Sequence, residues 1–283
     1  MVKKIFRIAM YSIRQWVTDP RVISLFVLMS MFVWNDFEVI SDLTGRTGIK
    51  TNPLLFPFYS GDPVKKLILL AGVIFLFSDA PFINKNQPYI IIRSKRVTWV
   101  LGQILYIVMA GAVYFLFLMS VSILALLPDA TFATDGWGKI VHTLAQTNAG
   151  AQIHLQFGIT KEITTFYSPF EAFALSFLLN WGAACFLGLL LFAINLKFNR
   201  MIGLVAGGVI LFSDLLITNM LPPGFYHLSP VSLSRLSVLD PMGVSLFPNL
   251  AYPFVFFSVS IVALSALLVV SIKKIPIEIT PEL

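Results

Sequence analysis

The chain has 283 residues, of which 57% are hydrophobic and only 12% are charged, with 20 basic against 14 acidic residues. Soluble domains contain about 25% charged residues, so a soluble core of this composition is excluded. The basic residues come in small clusters between apolar runs instead of lining one solvated domain, which excludes a nucleic-acid-binding protein.

Residues 1–19 interleave basic and apolar side chains at helical spacing. This pattern predicts an amphipathic helix lying in the membrane surface. Asp19 and Pro20 interrupt the stretch, and no small-residue cleavage site follows the next apolar run, so we do not expect a cleaved signal peptide. The basic face holds Lys3, Lys4, Arg7 and Arg14, and the apolar face holds Ile5, Ala9, Ile13 and Trp16.

Six apolar segments follow, and a membrane span needs about 20 such residues. Asp36 and Glu38 shorten the apolar part of the first segment, and Lys65 and Lys66 that of the second, but charged side chains at helix ends can reach the interface. The predicted fold is an all-α integral membrane protein, a single transmembrane domain over residues 1–283. The predicted spans are about 22–41, 64–82, 97–127, 170–196, 201–221 and 250–272.

The distribution of basic residues predicts the orientation. With the amino terminus inside, 13 of the 20 lysines and arginines fall in the inner connections, and 7, among them Lys66 and Arg235, fall in the outer ones. Because cytoplasmic loops carry the excess of Lys and Arg, we expect both termini in the cytoplasm. The segment 79–96 between spans two and three is then cytoplasmic as well. Its prolines, Pro81 and Pro88, prevent one uninterrupted helix.

Two outer connections are long enough to have structure of their own. In the loop 129–168, apolar and polar residues alternate from Ile153 to Ile159, which fits either a small hairpin or an irregular loop on the lipid surface. In the segment 222–249, Pro222 and Pro223 precede too many aromatic and apolar residues for a solvated loop. We predict short helices there that re-enter the outer leaflet.

The sequence offers no pattern for catalysis. It has no phosphate-binding loop, no H-E-x-x-H and no G-x-S-x-G, and its three histidines are too far apart to suggest a helical metal site. The single Cys185 lies in an apolar run and has no disulfide partner in the chain. We therefore expect no enzyme activity and no cofactor or metal bound by this chain.

Two polar residues lie inside predicted spans, Asn180 in the fourth and Asp214 in the fifth. At about 1.5 Å per residue, they come within about one turn of the same level. A lipid-facing carboxylate costs about 3 kcal/mol or more, so Asp214 should face protein or water. Either the two residues line a translocation path, or Asp214 is hydrated near the outer surface and Asn180 bonds one helix to another.

Gly203 and Gly207, at the start of the fifth span, form a small-xxx-small face that allows close helix approach. The partner is either another helix of the same chain or a second copy.

The layout as a whole resembles the type-2 ABC exporter permeases, in particular small ones of Gram-positive bacteria. The resemblance covers nearly the whole chain: a basic surface helix, six spans, a basic inner loop after span two and a re-entrant segment after span five. It also rests on three phrases, FSDAPF from Phe77 to Phe82, RSKRVTWVLGQILY from Arg93 to Tyr106 and LSPVSLSRL from Leu228 to Leu236.

The resemblance implies a multi-pass protein of the bacterial cell membrane. Two permease chains, identical or related, would pair, and each would receive a cytoplasmic ATP-binding subunit that holds ATP and Mg. Lys3 to Thr18 would be the elbow helix, Asp79 to Arg96 the coupling segment and Leu221 to Phe247 the outer gate. The residues expected to dock the ATPase are Phe82, Ile83, Asn84, Lys85, Gln87, Arg93 and Arg96.

The expected function is ATP-driven export of an amphipathic or hydrophobic substrate, such as an antimicrobial peptide. The main alternative is an ion-coupled secondary transporter, which usually shows interrupted helices, midplane ionisable residues and paired repeats. The sequence shows one such acid and no convincing repeat. A membrane enzyme and a non-transporting structural membrane protein are further alternatives.

Overall fold

The computed structural model describes residues 1–80, 82, 94–132 and 136–273, and the regular structure of this part of the chain is helical. Isolated bridges join Thr51 to Ala130 and Asp240 to Asn249. The α-helices are α1 (Val2–Arg14), α2 (Pro20–Thr47), α3 (Phe56–Gly61), α4 (Pro63–Phe77), α5 (Arg96–Leu126), α6 (Gly138–Gln146), α7 (Ala149–Gln152), α8 (Lys161–Phe166), α9 (Pro169–Lys197), α10 (Arg200–Met220), α11 (Pro230–Leu233) and α12 (Ala251–Ser271).

Five of these helices, α2, α5, α9, α10 and α12, are long and apolar enough to cross a membrane. The shortest two have 21 residues, which is about 31 Å against a hydrocarbon core of about 30 Å. The prediction of an all-helical, multi-pass membrane architecture is confirmed at this level. The remaining predicted span, 64–82, contains α4, whose 15 residues extend only about 22 Å.

The start of α4 is set by Asp62 and Pro63. The Asp62 side chain accepts hydrogen bonds from the backbone N–H groups of Val64 and Lys65, and Pro63 takes the first helical position, where a missing N–H costs nothing. Because α3 ends at Gly61, the chain forms a helix broken at these two residues.

Asn195 of α9 holds the other end of α4. Its Nδ2 donates to the carbonyls of Ser78, at 3.2 Å, and Ala80, at 2.9 Å. These carbonyls belong to turns beyond Phe77, so α4 ends against α9 instead of continuing to residue 82 as predicted.

The helix α9 lies at the centre of the bundle and packs against α3, α4, α5, α10 and α12. A capping box between Ser168 and Glu171 fixes its start, and Pro169 takes the first helical position. Gly188 lets its neighbours come close, because a Cβ there would lie 2.6 Å from Ile107 and 2.8 Å from Phe77. The core of the protein surrounds this helix.

The small-residue face of α10 packs within the chain. A Cβ on Gly203 would collide with Asn195 Oδ1, and one on Gly207 would lie 2.9 Å from Ile74 Cδ1, whereas Gly208 faces open space. Of the two partners considered for Gly203 and Gly207, the structure shows helices of the same chain. The face that self-association would use is occupied by α4 and α9.

The first helix packs along α5. Ile8, Ala9 and Ser12 are buried, and Trp16 Nε1, in the helical turn after α1, donates to Tyr106 Oη at 2.9 Å. The basic residues of α1 are exposed on its other side: Lys3, Lys4, Arg7 and Arg14. We call the end of the bundle that holds α1 the amino-terminal face, and the other end the opposite face.

Residues 153–160 form no hairpin, so of the two predicted structures the chain has the irregular loop, without the expected exposure of its apolar residues to lipid at Phe157. Its apolar residues turn inward: Phe157 is buried, with its ring 5.2 Å from that of Phe37 and 5.4 Å from that of Tyr59. The rings that Phe157 contacts lie on α2 and α3. The alternating residues 153–159 therefore have no neighbouring strand with which to pair. The loop covers the opposite face of the bundle.

The segment after α10 folds into short helices, as predicted for residues 222–249. Helical turns at Pro223–Leu228 and Leu236–Val238 flank α11, and residues 231–236 are buried. Beyond them, hydrogen bonds from Ser245 to the Asp240 carboxylate lower the pKa of Asp240 to about 2. The tight packing ends there, since residues 241–246 are exposed.

Replacing Gly203 by Val should lower the stability of the protein in detergent, because the new side chain displaces Asn195 and frees the end of α4. Overpacking of this kind costs about 1–3 kcal/mol. Gly208→Val is the matched control and should melt as the wild type does. Thermal unfolding followed by size-exclusion chromatography measures both, and equal melting of the two variants would contradict the packing described.

Candidate functional site

A group of buried polar residues joins four parts of the chain near the opposite face. We call it the polar junction, and it comes from the first turn of α4, the middle of α9, the second half of α10 and the segment around α11. Each member is at most 2% exposed, although long apolar helices surround it. The polar junction consists of Lys66, Asn180, Asp214, Ser229, Ser232 and Arg235.

Lys66 binds two of these parts together. Its Nζ donates to Asn180 Oδ1 at 2.5 Å and to the Ser234 carbonyl at 2.9 Å. Asn180 uses its other amide atom within α9, where Nδ2 donates to the Ser176 carbonyl at 2.7 Å. One ammonium group therefore fastens α4 to α9 and to the segment after α10.

Asp214 accepts hydrogen bonds from that same segment. Ser229 Oγ donates to its Oδ1 at 2.6 Å, and Ser232 Oγ donates to the same atom. Arg235 completes the network: its Nη2 donates to Ser232 Oγ and to Thr218 Oγ1, both at 2.9 Å, and lies 3.6 Å from Asp214 Oδ2. The segment 229–235 is thus bound to α10 through one carboxylate.

The polar junction contains one ion pair, between Arg235 and Asp214, and the amino group of Lys66, whose two acceptors are uncharged. Isolated buried charges cost many kcal/mol, whereas paired and hydrogen-bonded ones are tolerated. This region is therefore stable only while α4, α10 and the segment 229–235 stay together.

The structure bears on the two interpretations that the sequence left open for Asn180 and Asp214. Asp214 is 0% exposed and bonded to serines, so the hydrated carboxylate expected in one of the two interpretations is wrong. Asn180 does connect helices, through the ammonium group of Lys66 on α4. The two residues lie in one network, as their similar level in the membrane suggested.

Sequence reasoning missed Lys66 and Arg235. Both were counted as outer loop charges, yet each is at most 1% exposed. For Lys66 a signal existed, because neighbouring residues of a helix point about 100° apart and Lys65 and Lys66 follow an Asp-Pro helix start, so the two cannot share one face. Arg235 lies in a stretch rich in Leu, Val and Ser, which carries no comparable signal.

A second charged group lies at the amino-terminal face. Arg21, in the first turn of α2, pairs with Asp79 and donates from Nη2 to Ser78 Oγ at 2.7 Å and to the Phe75 carbonyl at 2.9 Å. Arg200, in the first turn of α10, lies 3.8 Å from Asp79. The starts of α2 and α10 and the end of α4 therefore converge at the first residue of the segment 79–96.

Two of the predicted docking residues are described. Phe82 is half-buried, with its ring 4.9 Å from that of Tyr106 and 6.3 Å from that of Phe77, and Arg96 begins α5. The side chain of Phe82 thus contacts the bundle. The other predicted docking residues lie outside the described part of the chain: Ile83, Asn84, Lys85, Gln87 and Arg93.

No protein-family model matches the chain, and neither the curated proteins nor the solved structures contain a match.

Lys66→Met should destabilise the protein, because it leaves Asn180 Oδ1 and the Ser234 carbonyl without a donor. An unsatisfied buried acceptor costs about 1–3 kcal/mol. The matched control is Lys139→Met, at an exposed position of α6, which should leave the melting temperature unchanged. Thermal unfolding in detergent measures both, and equal melting temperatures would show that the polar junction contributes no stability.

Proposed function

We propose that this chain is the membrane-spanning permease subunit of an ABC exporter. The observation that carries the proposal is the way α4 is held. One end joins the polar junction through Lys66, and the other lies at the Arg21, Asp79 and Arg200 group, directly before the basic segment 79–96. A helix fastened at both ends can carry a movement from one face of a bundle to the other.

In this proposal α4 forms the second of six spans, the one that the five long helices leave out. Although α4 alone is short, α3 and α4 together cover residues 56–77 and are separated only at Asp62. Non-helical backbone at membrane depth is tolerated where protein surrounds it, and both α3 and the polar side of α4 are buried. Both termini then lie in the cytoplasm, with the exposed basic face of α1 at the membrane surface.

The segment 79–96 is the proposed docking element for a separate ATP-binding subunit, which would hold ATP and Mg. Arg21 and Arg200 tie its first residue, Asp79, to the starts of two spans. Closure of a pair of ATPase subunits would push the two docked segments together and tilt the attached helices. The ring contact between Phe82 and Tyr106 would transmit this movement to α5.

The polar junction is the proposed closing contact on the outer side. It joins the segment 229–235 to α4, α9 and α10, and these contacts would separate together because breaking one leaves a buried polar group without its partner. Opening would admit water to Asn180 and Asp214, which then line the translocation path. The bundle would alternate between two packings, one closed here and one open.

The apolar bundle suits an amphipathic or hydrophobic substrate, such as an antimicrobial peptide. A second permease chain, identical or related, would complete the transporter. The broad apolar faces of α10 and α12 remain exposed in a single chain and would be covered by lipid or by that chain.

A specific observation also favours an ion-coupled secondary transporter. The break between α3 and α4, with Lys66 one turn beyond it and Asp214 in the same region, is an interrupted helix beside buried ionisable residues. Such helices are typical of secondary transporters. This alternative requires transport by the chain without an ATPase.

Purification after expression with the neighbouring genes tests the proposal. We expect an ATP-binding subunit to co-purify, and the double variant Phe82→Ala with Ile83→Ala to lose it because the docking element is damaged. Phe132→Ala, at an exposed position near the end of α5, is the matched control and should retain the subunit. Mass spectrometry and ATPase activity measure the outcome.

Phe82 also packs on Tyr106, so the first double variant by itself does not separate damage to the docking element from damage to the bundle. A second double variant, Asn84→Ala with Gln87→Ala, is therefore tested beside it. Retention of the subunit by both double variants would overturn the docking proposal. A chain that purifies alone, without nucleotide dependence, and transports under an ion gradient in vesicles would replace the exporter with the secondary transporter.

A further inference from the structure

A pocket of about 450 Å³ lies at the opposite face of the bundle. The second half of α2 forms one wall, Lys65 at the start of α4 forms another, and residues 154 and 156 of the irregular loop close it. We call it the acidic pocket. Its lining includes Lys65 but not Lys66, so it is separate from the polar junction.

The acidic pocket carries an excess of negative charge. Asp36, Glu38 and Asp42 line it, and Lys65 is the one lysine or arginine among its lining residues. With His154 neutral the formal charge of this lining is therefore −2. Positions 35, 38, 39 and 42 recur at helical spacing, so the carboxylates of Glu38 and Asp42 share one side of α2.

Asp36 differs from the other two carboxylates because it is almost entirely buried. It is 3% exposed, and Lys65 Nζ lies 2.8 Å from its Oδ2. That contact is an ion pair without hydrogen-bond geometry, and Oδ2 has no hydrogen-bond donor among the described residues. Asp36 therefore adds a fixed, buried negative charge behind the exposed carboxylates of Glu38 and Asp42.

The lining also decides which kind of cation fits. In the described part of the chain, no three His, Cys, Asp or Glu side chains are close enough to hold a metal ion. Phe32, which is 45% exposed, and Val39 add apolar surface between the carboxylates. A larger organic cation with an apolar part matches both the spacing of the charges and this surface.

We propose that the acidic pocket binds the amine or guanidinium groups of a cationic, amphipathic ligand, such as a peptide with Lys or Arg beside an aromatic residue. The ammonium groups would lie at Glu38 and Asp42, and the aromatic ring would lie on Phe32 and Val39. That this ligand is the transported substrate rests on the proposed function. The binding itself does not, because the pocket is formed by this chain alone.

The test measures binding by purified protein in nanodiscs of zwitterionic lipid, without any ATPase. The probe is the dipeptide amide Lys-Phe-NH₂, which carries two positive charges, and the comparison ligand is neutral N-acetyl-norleucyl-Phe-NH₂. Ligand-observed NMR titration gives both dissociation constants. We expect the cationic dipeptide to bind about tenfold more tightly, and its advantage to shrink as NaCl is raised, since exposed carboxylates are screened by salt.

The double variant Glu38→Gln with Asp42→Asn removes two charges from exposed positions and leaves the Asp36–Lys65 pair in place. It should weaken dipeptide binding about tenfold with no change in melting temperature. Glu162→Gln, an exposed acid of α8 outside the pocket, is the matched control and should bind as the wild type does.

Three results would overturn the inference: no binding by the wild type, equal affinity for the neutral ligand, or unchanged affinity in the double variant. Each would leave the exporter proposal standing, because co-purification of an ATPase is a separate measurement. Conversely, binding as expected by a chain that recruits no ATPase would keep the acidic pocket and remove the exporter.

Discussion

The amino group of Lys66 needs hydrogen-bond partners inside the protein, and the arrangement of one face of the bundle follows from that requirement. The side chain is 0% exposed among apolar helices, and a buried polar group without partners costs about 1–3 kcal/mol. Asn180 and the Ser234 carbonyl provide its acceptors. The segment after α10 has to fold back over the bundle to bring that carbonyl into reach, and Asp214 and Arg235 hold it there.

The helix α4, which carries Lys66 in its first turn, is held at its other end by different contacts. Asn195 fixes the turns after Phe77 through two carbonyls, and Arg21 and Arg200 meet at Asp79. The helix α4 therefore links the polar junction to the first residue of the basic segment. The proposed function requires the bundle to alternate between two packings, and the contacts at the two ends of α4 are the ones that would be broken and remade.

The long spans were predictable from the sequence, whereas the contacts between them were not. Apolar length alone identifies α2, α5, α9, α10 and α12, and the turn residues after α10 indicated short helices. The length of α4 was overestimated because its end depends on Asn195, which lies 115 residues or more away along the chain. The alternation among residues 153–159 left a hairpin and an irregular loop open, and packing decided between them, since Phe157 turns towards rings of α2 and α3.

For the candidate site, Asn180 and Asp214 stood out because polar residues are rare in apolar segments. Their partners did not, because Lys66 lies near the start of its predicted span, where basic residues are usually exposed, and Arg235 lies in the middle of the connection 222–249. The helix start indicated that Lys65 and Lys66 point in different directions, but only tertiary contacts show that Lys66 enters the bundle while Lys65 pairs with Asp36. The acidic pocket has the same origin, since it combines α2 with residues more than 100 positions further along the chain.

Hydrogen exchange measured by mass spectrometry tests most directly whether the polar junction fastens the segment after α10 to the bundle. The account predicts that peptides covering residues 231–236 exchange far more slowly than those covering the exposed residues 241–246. It also predicts that Lys66→Met accelerates exchange in 231–236 while leaving the centre of α5 unchanged. Equally fast exchange in the two stretches of the wild type, or unchanged exchange in the variant, would contradict the account.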